Sequence, residues 1–136
     1  MARVLIPFAE PEGAQRALAQ LLAEPRDPRL SVHLFAAVEP RVSGRTCTHL
    51  TGARAAEMVH DAARRWLQPL EAALAAAGIP HTSEIAVGPT RTSIRAAAER
   101  ADVDRVLLPP AARGLFAQRE RGWIRDRSPH PVTLVA

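Results

Sequence analysis

Short apolar runs alternate with segments of helical periodicity along this chain. The first run, "ARVLIPF" (residues 2–8), is rich in β-type residues and predicts a strand buried on both faces. The later runs "LSVHLFAAVEP", "IPHTSEIAVG" and "DRVLLP", together with the terminal "HPVTLVA", predict four more strands. The chain is therefore predicted to contain five strands.

The segments between the strands carry apolar residues at helical spacing. The first helix is predicted from Pro11, with an inward face made of Ala14, Ala17, Leu18, Leu21 and Leu22. The longest lies between Ala53 and Ala77, with an inward face made of Ala55, Val59, Ala62, Trp66, Leu70, Ala73 and Leu74. Gly78 is placed to end this helix, and Pro69 is expected to kink or split it near Gln68.

A third helix is predicted in "PTRTSIRAAAERADV". Thr90 or Thr92 would cap it, and its inward residues would be Ile94, Ala97, Ala98 and Ala101. Strands that alternate with helices in this way predict a parallel sheet with right-handed crossovers. A length of 136 residues fits a single domain over residues 1–136.

Composition restricts the chemistry that the chain can perform. All 18 basic residues are arginine, which excludes mechanisms that need a Schiff-base or P-loop lysine. The net charge is +4, but acidic residues are interspersed with the arginines, so nucleic acid is not an expected partner. The sequence shows neither a signal peptide nor an apolar run of membrane-spanning length, and we expect a cytoplasmic protein without membrane contact.

Candidate catalytic and metal-binding residues are sparse. Cys47 and His49 are two residues apart, a spacing that matches no zinc motif, so no metal site is predicted. Cys47 lies in an arginine-bearing loop, where a redox-sensing role is an open alternative. His33 alternates with apolar neighbours and is interpreted as a strand-face histidine. No hydrolase motif is present, and no catalytic residue is predicted.

Several segments, in order, resemble the universal stress protein (UspA-like) family. They are "RVLIPFAEPEGAQRALAQLLAE", "SVHLFAAVEP", a helix ending in "AAGI", "VGPTRTSIRAAAERADVDRVLLP" and the terminal "HPVTLV". The resemblance implies a Rossmann-like open parallel sheet of order 3-2-1-4-5 with helices on both faces. It also implies a homodimer through the last strand. A terminal edge strand favours the same pairing, and the predicted interface residues are Pro131, Val132, Thr133, Leu134 and Val135.

The resemblance also defines a nucleotide cleft from which this chain departs. In ATP-binding members, an aspartate after the first strand contacts adenine, and a Gly-x-x-Gly loop after the fourth strand cradles phosphate. Here Pro7, Phe8 and Ala9 match the family's Pro-Val-Asp, which leaves a methyl group in place of the carboxylate. The cleft positions, all expected to be degenerate, are Pro7, Phe8, Ala9, Val38, Leu108, Pro109, Ala112, Arg113 and Gly114.

The loop "PPAARG" is the strongest departure from the ATP-binding pattern. Pro109 and Ala112 stand where the family has glycines, and neither Pro109 nor Pro110 has an N–H to donate to phosphate. We therefore expect no ATP or other cofactor, and a dimeric stress-response binding module that acts on an unknown protein partner and is not an enzyme. Two alternatives stay open. ATP could bind with slow hydrolysis through Arg113, Arg119 and Arg121, or an apolar, non-phosphorylated metabolite could occupy the cleft.

Overall fold

The computed structural model describes residues 2–38, 52–87, 90–109, 125 and 130–135. The strands are β1 (Ala2–Phe8), β2 (Leu30–Val38), β3 (His81–Val87), β4 (Arg105–Leu108) and β5 (Val132–Leu134). The helices are α1 (Pro11–Ala23), α2 (Gly52–Ala76) and α3 (Thr90–Arg100). The predicted succession of these strands and helices is confirmed.

The five strands form one sheet of order β3-β2-β1-β4-β5, and every strand pair is parallel. β1 is central because it is paired with β2 on one side and with β4 on the other. Its middle residues Val4, Leu5 and Ile6 are all buried, as expected for a parallel strand covered on both faces. The predicted sheet order is therefore confirmed.

Two apolar cores lie on opposite faces of the sheet. On one face, α1 and α2 pack against residues such as Ile6 and Leu34. On the other face, α3 packs through Ile94, Ala97 and Ala98. Alternate residues of each strand enter alternate cores because successive side chains point to opposite faces. Helices therefore cover both faces of the sheet, as the resemblance implies.

Two details of the predicted helix faces are wrong. Leu22 is 43% exposed, since α1 buries only the narrower stripe of Ala14, Ala17, Leu18 and Leu21. In α2 the fully buried residues are Ala63, Leu67, Leu70 and Leu74. Ala62, predicted to face inward, is only partly buried, whereas Trp66 and Ala73 are partly buried and pack against this core as predicted. The buried stripe of α2 therefore includes Ala63 and Leu67 beside the predicted Leu70 and Leu74.

α2 and α3 end in the same way. Each helix is followed by a residue with positive φ, Gly78 after α2 and Asp102 after α3, and by the same pair of backbone hydrogen bonds. After α2, Gly78 has a φ of +71°, and the Ile79 N–H donates to the Leu74 carbonyl at 2.9 Å. This is the Schellman arrangement, which confirms Gly78 as the helix stop.

α2 runs continuously through Pro69, so the predicted split near Gln68 does not occur. The first residue of α3 is Thr90, so Thr90 and Thr92 both lie within the helix, and neither is the cap residue before it.

Candidate functional site

The topological switch point of the sheet lies between β1 and β4. The chain leaves β1 through α1 toward β2 and β3, and returns through α3 to β4 on the other side of β1. In open α/β sheets the crevice outside the carboxyl ends of two such strands is the usual ligand site. Here that crevice is bordered by Phe8 at the end of β1 and Leu108 at the end of β4.

The β1 side of this crevice offers little polar chemistry. Pro7 and Phe8 are buried, and Phe8 is only 4% exposed, so its ring belongs to the core. Ala9 follows the strand and is exposed, with a methyl group as its entire side chain. Glu10, the N-cap residue of α1, is exposed and makes no side-chain capping hydrogen bond. The carboxylate of Glu10 is therefore displaced by one residue from the position in the family pattern.

The β4 side ends at Pro109, which has no N–H group to offer a phosphate. Val38 closes β2 and is paired with Val87 of β3. The remaining predicted cleft residues, Ala112, Arg113 and Gly114, lie outside the described part of the chain. Pro110, Arg119, Arg121, Cys47 and His49 also lie outside it.

A charged cluster occupies the opposite, amino-terminal edge of the sheet. Arg105 donates two hydrogen bonds to the Glu24 carboxylate, at 2.9 and 2.8 Å, and a third from Nε to the Thr133 hydroxyl at 3.1 Å. The hydrogen bonds from Arg105 lower the pKa of Glu24, and the same contacts raise the pKa of Arg105. This cluster connects the end of α1 to β4 and β5. Because the carboxylate and the guanidinium already pair with each other, we interpret the cluster as a structural contact and not as a ligand site.

A second polar cluster crosses strands β2 and β3. His33 Nδ1 lies 2.6 Å from the Thr82 hydroxyl, and His33 Nε2 lies 3.1 Å from Glu84 Oε2. Arg100 of α3 donates to the other oxygen of Glu84. The sequence interpretation placed His33 correctly on a strand face but missed these partners. The only sequence signal was the polar alternation of Thr82 and Glu84 within β3.

The residues predicted to form a dimer interface lie in and beside β5. Pro131 is exposed, and the three residues of β5 are partly buried. Val135 is buried in the core of its own chain, and its N–H donates to the Leu108 carbonyl at 2.9 Å. β5 is paired with β4 on one side and is the last strand in the sheet order.

Within the described segments, no group of three or more His, Cys, Asp or Glu residues is arranged to hold a metal ion. Among the helices that these segments contain, none combines the length and apolar character needed to cross a membrane.

Solved structures share this fold along nearly the entire chain. A universal stress protein family structure from Burkholderia pseudomallei is 12% identical, with a TM-score of 0.78, covering 98% of this chain and 95% of that one. An Archaeoglobus fulgidus universal stress protein in complex with dAMP is 16% identical, with a TM-score of 0.70, covering 100% and 98%. An Arabidopsis thaliana family protein with AMP bound is 13% identical, with a TM-score of 0.68, covering 99% and 91%. At these identities the likeness establishes the fold alone.

The sequence itself gives the family. No curated protein sequence matches this chain significantly. The model of the universal stress protein family, however, matches residues 1–122, which include β1 through β4 and both sides of the switch-point crevice. Together with the sheet order, this match confirms that the chain belongs to the universal stress protein family.

Proposed function

We propose that this protein is a cytoplasmic, dimeric regulatory module of the stress response whose switch-point cleft does not bind ATP at physiological strength. The single observation that carries the proposal is Ala9, exposed at the carboxyl end of β1 where the family pattern has its adenine-contacting aspartate. A methyl group accepts no hydrogen bond, so an adenine amino group in this position would lose its partner.

The other border of the cleft supports the same proposal. Phosphate sites in α/β folds depend on backbone N–H groups near strand ends. Pro109 stands directly after β4 and contributes no such donor. The missing carboxylate and the missing donor weaken contacts to opposite ends of a nucleotide, so their effects on affinity should combine. Without a bound nucleotide the cleft would have no hydrolytic activity, and the module would act through a protein partner.

A second candidate function is adenine-nucleotide binding through side chains. It is favoured by the dAMP and AMP complexes of the Archaeoglobus fulgidus and Arabidopsis thaliana proteins, which share this fold. In this chain Arg113, Arg119 and Arg121 would replace backbone donors, because a guanidinium binds phosphate through two parallel hydrogen bonds. Slow ATP hydrolysis would be the corresponding activity.

Calorimetric titration with Mg-ATP and with AMP tests the two candidates. Mass spectrometry of the purified protein first establishes whether nucleotide has copurified. We expect no binding by the wild-type protein, and a gain of ATP affinity when Ala9→Asp is combined with Pro109→Gly. Wild-type binding at micromolar strength, about −8 kcal/mol, would overturn the proposal. If Arg113→Ala then removed that binding, the second candidate would be supported.

A further inference from the structure

The Thr82, His33 and Glu84 side chains form a continuous chain of hydrogen-bond contacts on the face of the sheet covered by α3. Thr82 and Glu84 lie two residues apart in β3, so their side chains point to the same face. His33 is paired in register with Thr82 and lies between the two side chains, at 2.6 Å from the hydroxyl and 3.1 Å from the carboxylate. A hydroxyl, an imidazole and a carboxylate are thus arranged in series.

The chemistry of Glu84 determines the direction of these hydrogen bonds. A carboxylate only accepts, and the second oxygen of Glu84 already accepts from Arg100. His33 Nε2 must therefore carry the proton that it donates to Glu84. In the neutral ring Nδ1 is then an acceptor, so the Thr82 hydroxyl donates to it. This is the arrangement that activates a hydroxyl nucleophile, with the roles of the two ring nitrogens exchanged relative to the serine-protease triad.

We propose that Thr82 is a nucleophile for acyl transfer from small carboxylic esters, with His33 as general base and Glu84 as the residue that positions His33. Thr82 Oγ1 attacks the ester carbonyl carbon while its proton moves to His33 Nδ1. The bond to the leaving alcohol breaks, and that oxygen takes the proton back from His33. Water then hydrolyses the Thr82 ester by the same proton route, releasing the carboxylic acid. No oxidant, metal or cofactor takes part.

Exposure and strand geometry determine which groups of this cluster a small ester can reach. Thr82 is exposed, whereas His33 is only 12% and Glu84 33% exposed, so Thr82 is the residue of the three that solvent reaches most easily. The N–H of Val32 donates to the Pro80 carbonyl, and in this parallel register the N–H of Ser83 points away from β2. No described strand pairs with that side of β3. In the proposed reaction the Ser83 N–H, directly after the nucleophile, would be the donor that stabilises the developing oxyanion.

The proposal concerns a different surface from the switch-point cleft and does not rest on the proposed function. p-Nitrophenyl acetate tests it, with nitrophenolate release followed by absorbance and the acetylated residue identified by peptide mass spectrometry. All proteins carry Cys47→Ala to remove the thiol, and the chain has no lysine to compete as an amine. We expect acetylation of Thr82, or turnover that depends on it. His33→Gln and Glu84→Gln should each lower the rate at least tenfold, since general-base assistance typically contributes 10²–10⁴-fold.

Matched variants separate reactivity from folding. Thr82→Ser keeps the hydroxyl and should retain the reaction, whereas Thr82→Val keeps the shape and should abolish it. In Glu84→Gln, nitrogen-15 chemical shifts should report loss of the Nε2–H tautomer preference of His33, which a merely structural role would not require. Equal rates in the starting protein and Thr82→Val, or equal rates in the starting protein and His33→Gln, would overturn the proposal. So would acetylation of other residues only, or no reaction above free imidazole.

Discussion

Arg105 and Glu24 are 81 residues apart in sequence and are joined by two parallel hydrogen bonds of 2.9 and 2.8 Å. The pair connects the first residue of β4 to the residue that follows α1. Arg105 also donates to Thr133, so the short terminal strand is connected to the same cluster. The three-residue β5 is therefore joined to the cluster through a side chain, in addition to its backbone pairing with β4.

Replacement of Glu24 by glutamine should destabilise the protein. The variant keeps the size of the side chain but loses the charge-assisted, bidentate contact with Arg105. The side chains of Arg105 and Glu24 are 28% and 35% exposed, so solvent screening reduces the effect, and we expect a loss of about 1 kcal/mol in the free energy of unfolding at pH 7. Urea denaturation measures it. Glu57→Gln, an exposed site on α2, is the control and should stay within about 0.5 kcal/mol of wild type. A Glu24→Gln effect no larger than that would contradict the prediction.

The same pair should make stability depend on pH in a defined direction. The pKa of Glu24 is lowered in the folded state by Arg105, so the folded protein releases this proton more readily than the unfolded chain. The resulting stability is fully present above the unfolded pKa of about 4.3 and is lost as pH falls through the folded pKa. The raised pKa of Arg105 adds no dependence below pH 10, since arginine is protonated in both states there. The difference between wild type and Glu24→Gln should therefore be constant from pH 6 to 8 and shrink below about pH 4. A difference that grew on acidification would contradict this assignment.

Gly78 and Asp102 provide a matched pair of substitutions. Gly78 follows α2 with a φ of +71°, and Asp102 follows α3 with a φ of +50°, so both backbones are in the left-handed region. The two helix ends have the same pattern of backbone hydrogen bonds. A Cβ added at Gly78 would meet no heavy atom within 4 Å, so the effect of Gly78→Ala is conformational and should be a loss of about 1 kcal/mol. Asp102→Gly should change stability in the opposite direction, by about 0.5 kcal/mol, because glycine adopts this conformation without strain. Thermal unfolding measures both, and equal signs would contradict the argument.

The succession of strands and helices could be anticipated because each element carries a local signal, whereas the order of the strands in the sheet was implied by the family resemblance. β1 and β2 are apolar runs, Pro11 starts α1, and Gly78 ends α2. The inward face of α2 is harder to predict because alanine occurs on several sides of this helix. Ala62 and Ala63 fit the spacing equally well, and only the packing of Leu67 against the sheet selects between them.

The polar cluster at His33 could not be anticipated from local patterns. Its contacts with Thr82 and Glu84 span 49 and 51 residues of sequence and depend on the register between two parallel strands. A shift of one residue in that register would move Thr82 and Glu84 to the opposite face of the sheet. The Arg105–Glu24 pair was missed for the same reason. Each residue taken alone resembles an ordinary surface charge.

The proposed dimer can be tested through the backbone of β5. The N–H of Val106 donates to the Pro131 carbonyl, and the N–H of Val135 donates to the Leu108 carbonyl. In this parallel register the N–H of Val132 points away from β4, toward the side where a second chain would pair. Val132→Pro therefore removes one donor from the outer edge and leaves the bonds to β4 intact. Proline is also tolerated at the first position of a strand.

Val132→Pro should weaken the dimer at least tenfold, because it removes the Val132 N–H donor from the interface. A loss of about 1.4 kcal/mol in binding free energy corresponds to a tenfold rise in Kd. Sedimentation equilibrium measures the Kd, and circular dichroism checks that the monomer fold is kept. Val132→Ala shortens the side chain but retains the N–H, so it separates the backbone contribution from apolar packing. If Val132→Pro and wild type dimerised equally well, pairing through β5 would be wrong, and the contact between chains would have to lie on another surface.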